Sequence, residues 1–121
     1  MGAPSVGGPF DALLVNERGE LTESGIANVA IELAPGCPWK TPPLSCGLID
    51  GVMRRELLEL GQLVEAVITA NELLEVAARR ADAARLGEWA PRIYCFNAVR
   101  GIYEVALVIG GAAGAAAASA S

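Results

Sequence analysis

Apolar and polar positions change rhythm several times along the chain, and each change marks an element. Phe10 to Asn16 is a short apolar run ending in Asn16-Glu17-Arg18-Gly19, which carries the turn chemistry of a side-chain acceptor followed by glycine. Glu20-Leu21-Thr22-Glu23 resumes an extended path. Ile26 to Leu33 sets Ile26, Val29, Ile31 and Leu33 into a second strand-like stretch, stopped by Ala34-Pro35-Gly36. These stretches are expected to lie antiparallel. Trp39-Lys40-Thr41 has room for a brief pairing before Pro42-Pro43 removes two amide donors, and Leu44 to Ile49 reads as loop.

From Val52 the rhythm becomes helical. Val52, Leu57, Leu58 and Leu60 interleave with Arg54, Arg55, Glu56 and Glu59, with Asp50 as the expected N-cap and Gly61 as the stop. Leu63 to Thr69 alternates, and its β-branched residues suit a strand. Asn71 opens a second helix, rich in Ala and Arg, that runs to about Leu86 and is closed by Gly87 and Pro91. Arg92 to Phe96 is a strand, Asn97 to Gly101 a turn, and Ile102 to Ile109 the last strand. The fold class is α/β (α+β), with a mixed sheet and two helices. Residues 1–9 are expected to be a disordered lead-in, 10–109 the domain, and 110–121 a flexible Gly/Ala/Ser tail, too short and Ala-rich for a membrane anchor.

Composition narrows the function. With 121 residues, 53 % apolar and 19 % charged, the chain is one globular domain with a modest core. A net charge of −5 and the lack of a basic stripe argue against a nucleic-acid partner. The pairs Arg54/Arg55 and Arg79/Arg80 read as solvated helix faces, because acidic residues lie close to both. Cys37, Cys46 and Cys95 match no zinc spacing and there is no histidine, so no metal site is expected, and no Ser-His-Asp or Cys-His nucleophile. Nor is there a nucleotide-phosphate loop of the Gly-x-x-x-x-Gly-Lys-Ser type. No secretory leader pattern opens the sequence, and reduced thiols in a cytoplasmic protein are the expectation.

Three segments carry candidate chemistry: Leu21-Thr22-Glu23-Ser24-Gly25-Ile26-Ala27-Asn28-Val29; Thr41-Pro42-Pro43-Leu44-Ser45-Cys46-Gly47-Leu48, followed by Gly51-Val52-Met53-Arg54; and Tyr94-Cys95-Phe96-Asn97-Ala98-Val99-Arg100-Gly101. In this order and spacing they resemble the class IV (fold-type IV) pyridoxal-phosphate enzymes, specifically the 4-amino-4-deoxychorismate lyase branch. Branched-chain and D-amino-acid aminotransferases belong to the same family. The resemblance runs from about Phe10 to Val108 and corresponds to the family's C-terminal domain. It implies a mixed, largely antiparallel sheet with two helices, as in D-amino-acid aminotransferase-like enzymes.

The resemblance also implies a site. Pyridoxal 5′-phosphate has an anionic phosphate and a ring nitrogen that works best protonated, so a carboxylate belongs beside that nitrogen. Glu23 takes that role in the resemblance, against the alternative of a solvated turn-end glutamate. Gly51, Val52 and Met53 would offer helix-start amides to the phosphate, the alternative being an ordinary helix N-terminus. Many relatives have Thr where Met53 stands, which removes one hydroxyl donor. Asn97 and Ala98 fall where the family folds a loop against phosphate and substrate; turn chemistry is the other reading of Asn97. Asn28 matches a backbone-orienting asparagine, Thr41-Pro42-Pro43 reads as scaffold and Cys46 as a small filler.

No catalytic residue is assigned. The family's Schiff-base lysine lies before the glutamate strand, whereas the sole lysine, Lys40, follows it and reads as an edge-strand residue in solvent. The chain is therefore expected to be a truncated form, inactive alone, that leaves bare the apolar faces the family buries against its other domain and its homodimer partner. The family reaction, 4-amino-4-deoxychorismate to 4-aminobenzoate and pyruvate in folate biosynthesis, is the first functional expectation. Branched-chain or D-amino-acid transamination is the second, and a non-catalytic remnant or interaction module the third. The expected ligand is a small molecule, with no membrane partner.

Overall fold

A computed structural model describes residues 11–109 and 116–120. Its elements are β1 (Asp11–Val15), β2 (Leu21–Ser24), β3 (Asn28–Glu32), β4 (Trp39–Thr41), α1 (Val52–Glu59), β5 (Leu63–Glu65), α2 (Ala70–Leu86), β6 (Arg92–Asn97), β7 (Gly101–Ile109) and β8 (Ala116–Ala120). A single 3-10 turn, Leu44–Cys46, interrupts the loop that leads to α1. The strands make one sheet in the order β2-β1-β8-β7-β6-β3-β4-β5. Among the described residues every pairing is antiparallel except β4 with β5, so the sheet is mixed, as the pattern predicts, and largely antiparallel, as the resemblance implies. No helix among the described residues is long and apolar enough to cross a membrane.

Alternation along β3 and β6 feeds two cores, because successive side chains leave a strand on opposite faces. Val29, Ile31, Ile93 and Cys95 join Leu73 and Val76 of α2 in the larger core. Ala30 and Phe96 join Leu57 of α1 and Leu63 of β5 in the smaller one. With both faces covered, the middle of β3 is buried at every position, so Val29-Ala30-Ile31 reads as a continuous apolar run. Thr41 is fully buried and its hydroxyl donates to Val29 O at 2.7 Å, locking β4 onto β3 in the scaffold role expected of that segment.

Several expectations are corrected. Residues 116–120, placed in a flexible tail, form β8 between β7 and β1; alanine and serine favour strands weakly, and the pairing groups of both neighbours supply what propensity does not. β7 is therefore not the last strand. The Leu63–Thr69 strand is only Leu63–Glu65, since its partner β4 stops at Thr41; Ile68 instead turns inward and its carbonyl accepts Leu21 N–H at 2.7 Å. Asp50 does not cap α1. Gly51 holds that position without a side-chain cap, and Asp50 pairs with Arg54 and Arg55. Lys40 is exposed, but β4 lies between β3 and β5 and is not an edge. The expected lead-in, residues 1–9, and residues 110–115 and 121 of the expected 110–121 tail lie outside the described residues.

Candidate functional site

Three connections meet at one end of the sheet. The first is the tight turn from β2 to β3, where Ser24 Oγ accepts the N–H groups of Ile26 at 3.3 Å and Ala27 at 2.9 Å. That turn sets half-buried Glu23 and buried Asn28 on either side of it. The second is the approach to α1. The peptide of Ile49 is held from both sides: its N–H donates to Glu23 Oε1 at 3.1 Å, and its carbonyl accepts Asn28 Nδ2 at 2.9 Å. The same carbonyl accepts Gly51 N–H at 3.0 Å, so the glutamate, the asparagine and the helix start are joined through one residue.

The third connection is the β6–β7 hairpin. Asn97 Oδ1 accepts Val99 N–H at 3.0 Å and Arg100 N–H at 2.7 Å, while Nδ2 donates to Ile26 O at 3.0 Å. Asn97 thus shapes its own turn and also pins it against the β2–β3 turn. Gly101 follows with φ +73, a conformation that suits glycine.

These connections enclose a hollow of ≈ 290 Å³, at the lower end of the roughly 300–1,000 Å³ usual for small-molecule sites. Glu23, Gly51, Val52, Met53, Asn97 and Ala98, the six residues singled out from sequence, all line it. Asn28 and Ile49 line it too, and the role of Ile49 had no signal in the sequence, since it acts through its backbone. Met53 also packs against the smaller core.

Charge is arranged asymmetrically around the hollow. Glu23 brings a carboxylate to one side. The start of α1 brings positive partial charge to another, with no acidic residue in its first turn and no side-chain cap on its N–H groups. Gly51 has ordinary helix-entry dihedrals, yet a Cβ there would stand 2.5 Å from Asn28 Oδ1. Glycine is needed for that close approach rather than for its φ. A carboxylate, a row of uncapped amides and a glycine packed on a pinned asparagine are the donor set that an anionic, protonatable heterocycle requires, so these residues fit pyridoxal phosphate. Ile26, Ile49 and Val52, which line the hollow, are 49 %, 72 % and 57 % exposed.

Other polar groups lie apart from the hollow. Glu20 accepts Asn16 Nδ2 at 3.0 Å and Arg18 Nε at 2.9 Å, which together hold its carboxyl below the ordinary value. Burial, then the neighbouring Glu20 charge, pushes the Cys46 thiol up. Cys46 is 4 % exposed and fills space as expected. Lys40 does not line the hollow. Arg54, read as solvated, is 2 % exposed: its guanidinium is covered and tied to Asp50, Pro42 O and Glu65.

Relatives share this arrangement of chain. Residues 6–108 match the family model described as amino-transferase class IV. A candidate aminodeoxychorismate lyase of Schizosaccharomyces pombe is 46 % identical over 55 residues, which is 46 % of this chain and 23 % of that protein. A crystal structure from Mesorhizobium loti, described as that of a candidate amino-acid aminotransferase, is 34 % identical with TM-score 0.62, over 78 % of this chain and 38 % of the other. The 4-amino-4-deoxychorismate lyase of Pseudomonas aeruginosa shares the fold at 24 % identity and TM-score 0.56, over 78 % of this chain and 31 % of the other. The chain thus spans between about a quarter and two fifths of the length of these relatives. It belongs to the class IV aminotransferase family.

Proposed function

We propose that the hollow is a pyridoxal 5′-phosphate cradle and that the domain, residues 10–109, serves a reaction of the 4-amino-4-deoxychorismate lyase type. The observation that carries this reading is the convergence of Glu23, Gly51, Val52, Met53, Asn97 and Ala98 on one hollow from three separate connections. When bound, the coenzyme supplies an electron sink for negative charge developing on the substrate. Glu23 keeps the proton on the ring nitrogen by charge pairing, with Oε1 already steadied by Ile49 N–H. Val52 and Met53 N–H groups receive the phosphate, and Gly51 lets the backbone come close. The side chain of Asn97 is spent on its turn, so that turn meets the ligand through Ala98 and the backbone.

The lyase branch is favoured by the identity to the Schizosaccharomyces pombe protein; its product would be 4-aminobenzoate, a folate precursor, with pyruvate released. Branched-chain or D-amino-acid transamination is the alternative, on the fold shared with the branched-chain aminotransferase of Escherichia coli, 17 % identical at TM-score 0.55. Pyruvate release against amino transfer to a keto acid, measured in a full-length relative, separates the two. A second reading rests on Lys40, the sole lysine and outside the hollow: these 121 residues hold the coenzyme without turning it over, as a non-catalytic module. A cytoplasmic setting and a homodimer belong to the same proposal.

The test is binding. Pyridoxal phosphate is expected to bind the wild-type chain about ten-fold more tightly than it binds Glu23→Gln, the equivalent of losing one charge-assisted contact of about 1.4 kcal/mol. Equal affinities for the two proteins would sink the cradle. Under the second reading, the purified chain loaded with pyridoxal phosphate releases no pyruvate and transfers no amino group, and turnover by it would overturn that reading.

A further inference from the structure

We propose that Arg54 is a positioning residue that sets where the N-terminus of α1 stands relative to the sheet, and hence whether its amides can receive a phosphate. The inference rests on the cradle reading above and adds a residue that does not line the hollow. Arg54 sits in the first turn of α1, adjacent to Met53, and is 2 % exposed, one of the largest fully buried side chains. Its Nη2 donates to Pro42 O at 3.0 Å and also to Glu65 Oε2; its Nη1 donates to Asp50 Oδ1 at 3.4 Å.

Those partners belong to three different pieces of chain. Pro42 follows β4, Glu65 ends β5, and Asp50 precedes Gly51. Thr41 O accepts Ala66 N–H at 2.9 Å, so the exits of β4 and β5 are already fastened together where the guanidinium meets them. One planar group therefore ties the helix start to the parallel pair of β4 and β5 and to the residue that precedes Gly51. Buried Arg54 Nε finds no partner, so a polar atom is left unsatisfied to keep this geometry. Lysine has the charge but not the fork, and a single ammonium cannot reach all three oxygens in these directions.

The experiment titrates the 121-residue chain with pyridoxamine 5′-phosphate and with pyridoxamine, which lack the aldehyde that would label Lys40. It reads the backbone amide signals of Gly51, Val52 and Met53 by ¹H–¹⁵N NMR, with thermal melting alongside. Wild type is expected to bind the phosphorylated probe about ten-fold more tightly. In Arg54→Lys that ratio is expected to fall by about five-fold while melting stays cooperative, and in Glu65→Gln by about two-fold to three-fold. A merely structural role would weaken both probes alike and leave the ratio unchanged, which overturns the inference. Should Arg54→Lys lose cooperative melting, the Glu65→Gln ratio decides on the same criterion. A wild-type chain with no preference for the phosphorylated probe overturns the cradle itself, and this inference with it.

Discussion

Replacing Gly51 by alanine tests the packing on which the helix start depends. The backbone there, at φ −68 and ψ 151, is open to any L-residue, so the substitution meets no conformational barrier. It meets a neighbour instead: the added Cβ would lie 2.5 Å from Asn28 Oδ1 and 3.7 Å from Cγ. Ordinary contact distance requires the amide to retreat by roughly 1 Å. Asn28 is 7 % exposed and its Nδ2 holds Ile49 O at 2.9 Å, so such a retreat takes that hydrogen bond out of range. Losing it costs about 1 kcal/mol net, and an amide left buried and unsatisfied raises the cost to about 1–3 kcal/mol. Alanine in place of a capping glycine costs about 0.5–1 kcal/mol. The narrower unfolded ensemble returns about 0.4–1 kcal/mol, so these two effects nearly cancel.

Gly51→Ala is therefore expected to destabilise the chain by about 1–3 kcal/mol, at about 4–8 °C of melting temperature per kcal/mol. The assay is urea unfolding of Gly51→Ala, Asn28→Ala and the double variant. In the Asn28→Ala background the Cβ no longer meets Oδ1, while the cap and entropy contributions persist. The double variant should then be more stable than the sum of the single losses by about 1–2 kcal/mol. Additivity to within about 0.5 kcal/mol would refute the contact.

Two further outcomes are expected. Glu20, held below its ordinary value of 4.5 by Asn16 and then Arg18, adds stability that is fully present above that value and is lost as pH falls through its lower folded value. The melting difference between wild type and Glu20→Gln should thus be constant near neutrality and shrink on acidification; a difference independent of pH contradicts the pairing. Alkylation mapped by mass spectrometry at mildly alkaline pH should label exposed Cys37 at least about ten-fold faster than buried Cys46, whose thiol is pushed up by burial and by Glu20. Equal rates for Cys37 and Cys46 would show that Cys46 is not sequestered.

Local chemistry was legible wherever it was self-contained. α2 ends at Leu86 with Gly87 in the left-handed conformation, as its glycine signals. The six residues that line the hollow come from the family resemblance, whose motifs are short and lie at strand ends, turns and a helix start. What escaped was set by partners distant in sequence. An arginine pair on a helical rhythm looks like a wet face; only the oxygens of Pro42 and Glu65 decide that Arg54 goes inward and Arg55 stays out. α2 begins at Ala70 rather than Asn71, capped by Thr69, whose hydroxyl accepts Glu72 N–H at 3.2 Å, a shift that periodicity alone does not resolve. Alternation through Val64 and Val67 suggested a long strand, but pairing length belongs to β4, which the prolines cut short.

The place of β8 has a consequence for how the chain acquires its shape. The hairpin of β1 and β2 reaches the rest of the sheet through Ala116–Ala120, where Asp11 faces Ala118 and Leu107 faces the same alanine from the other side. Asp11 must wait for Ala118, far along the chain, before this seam can form. Until then two strand borders stand open, a slow closure across a long sequence separation during which a neighbouring copy could pair in its stead.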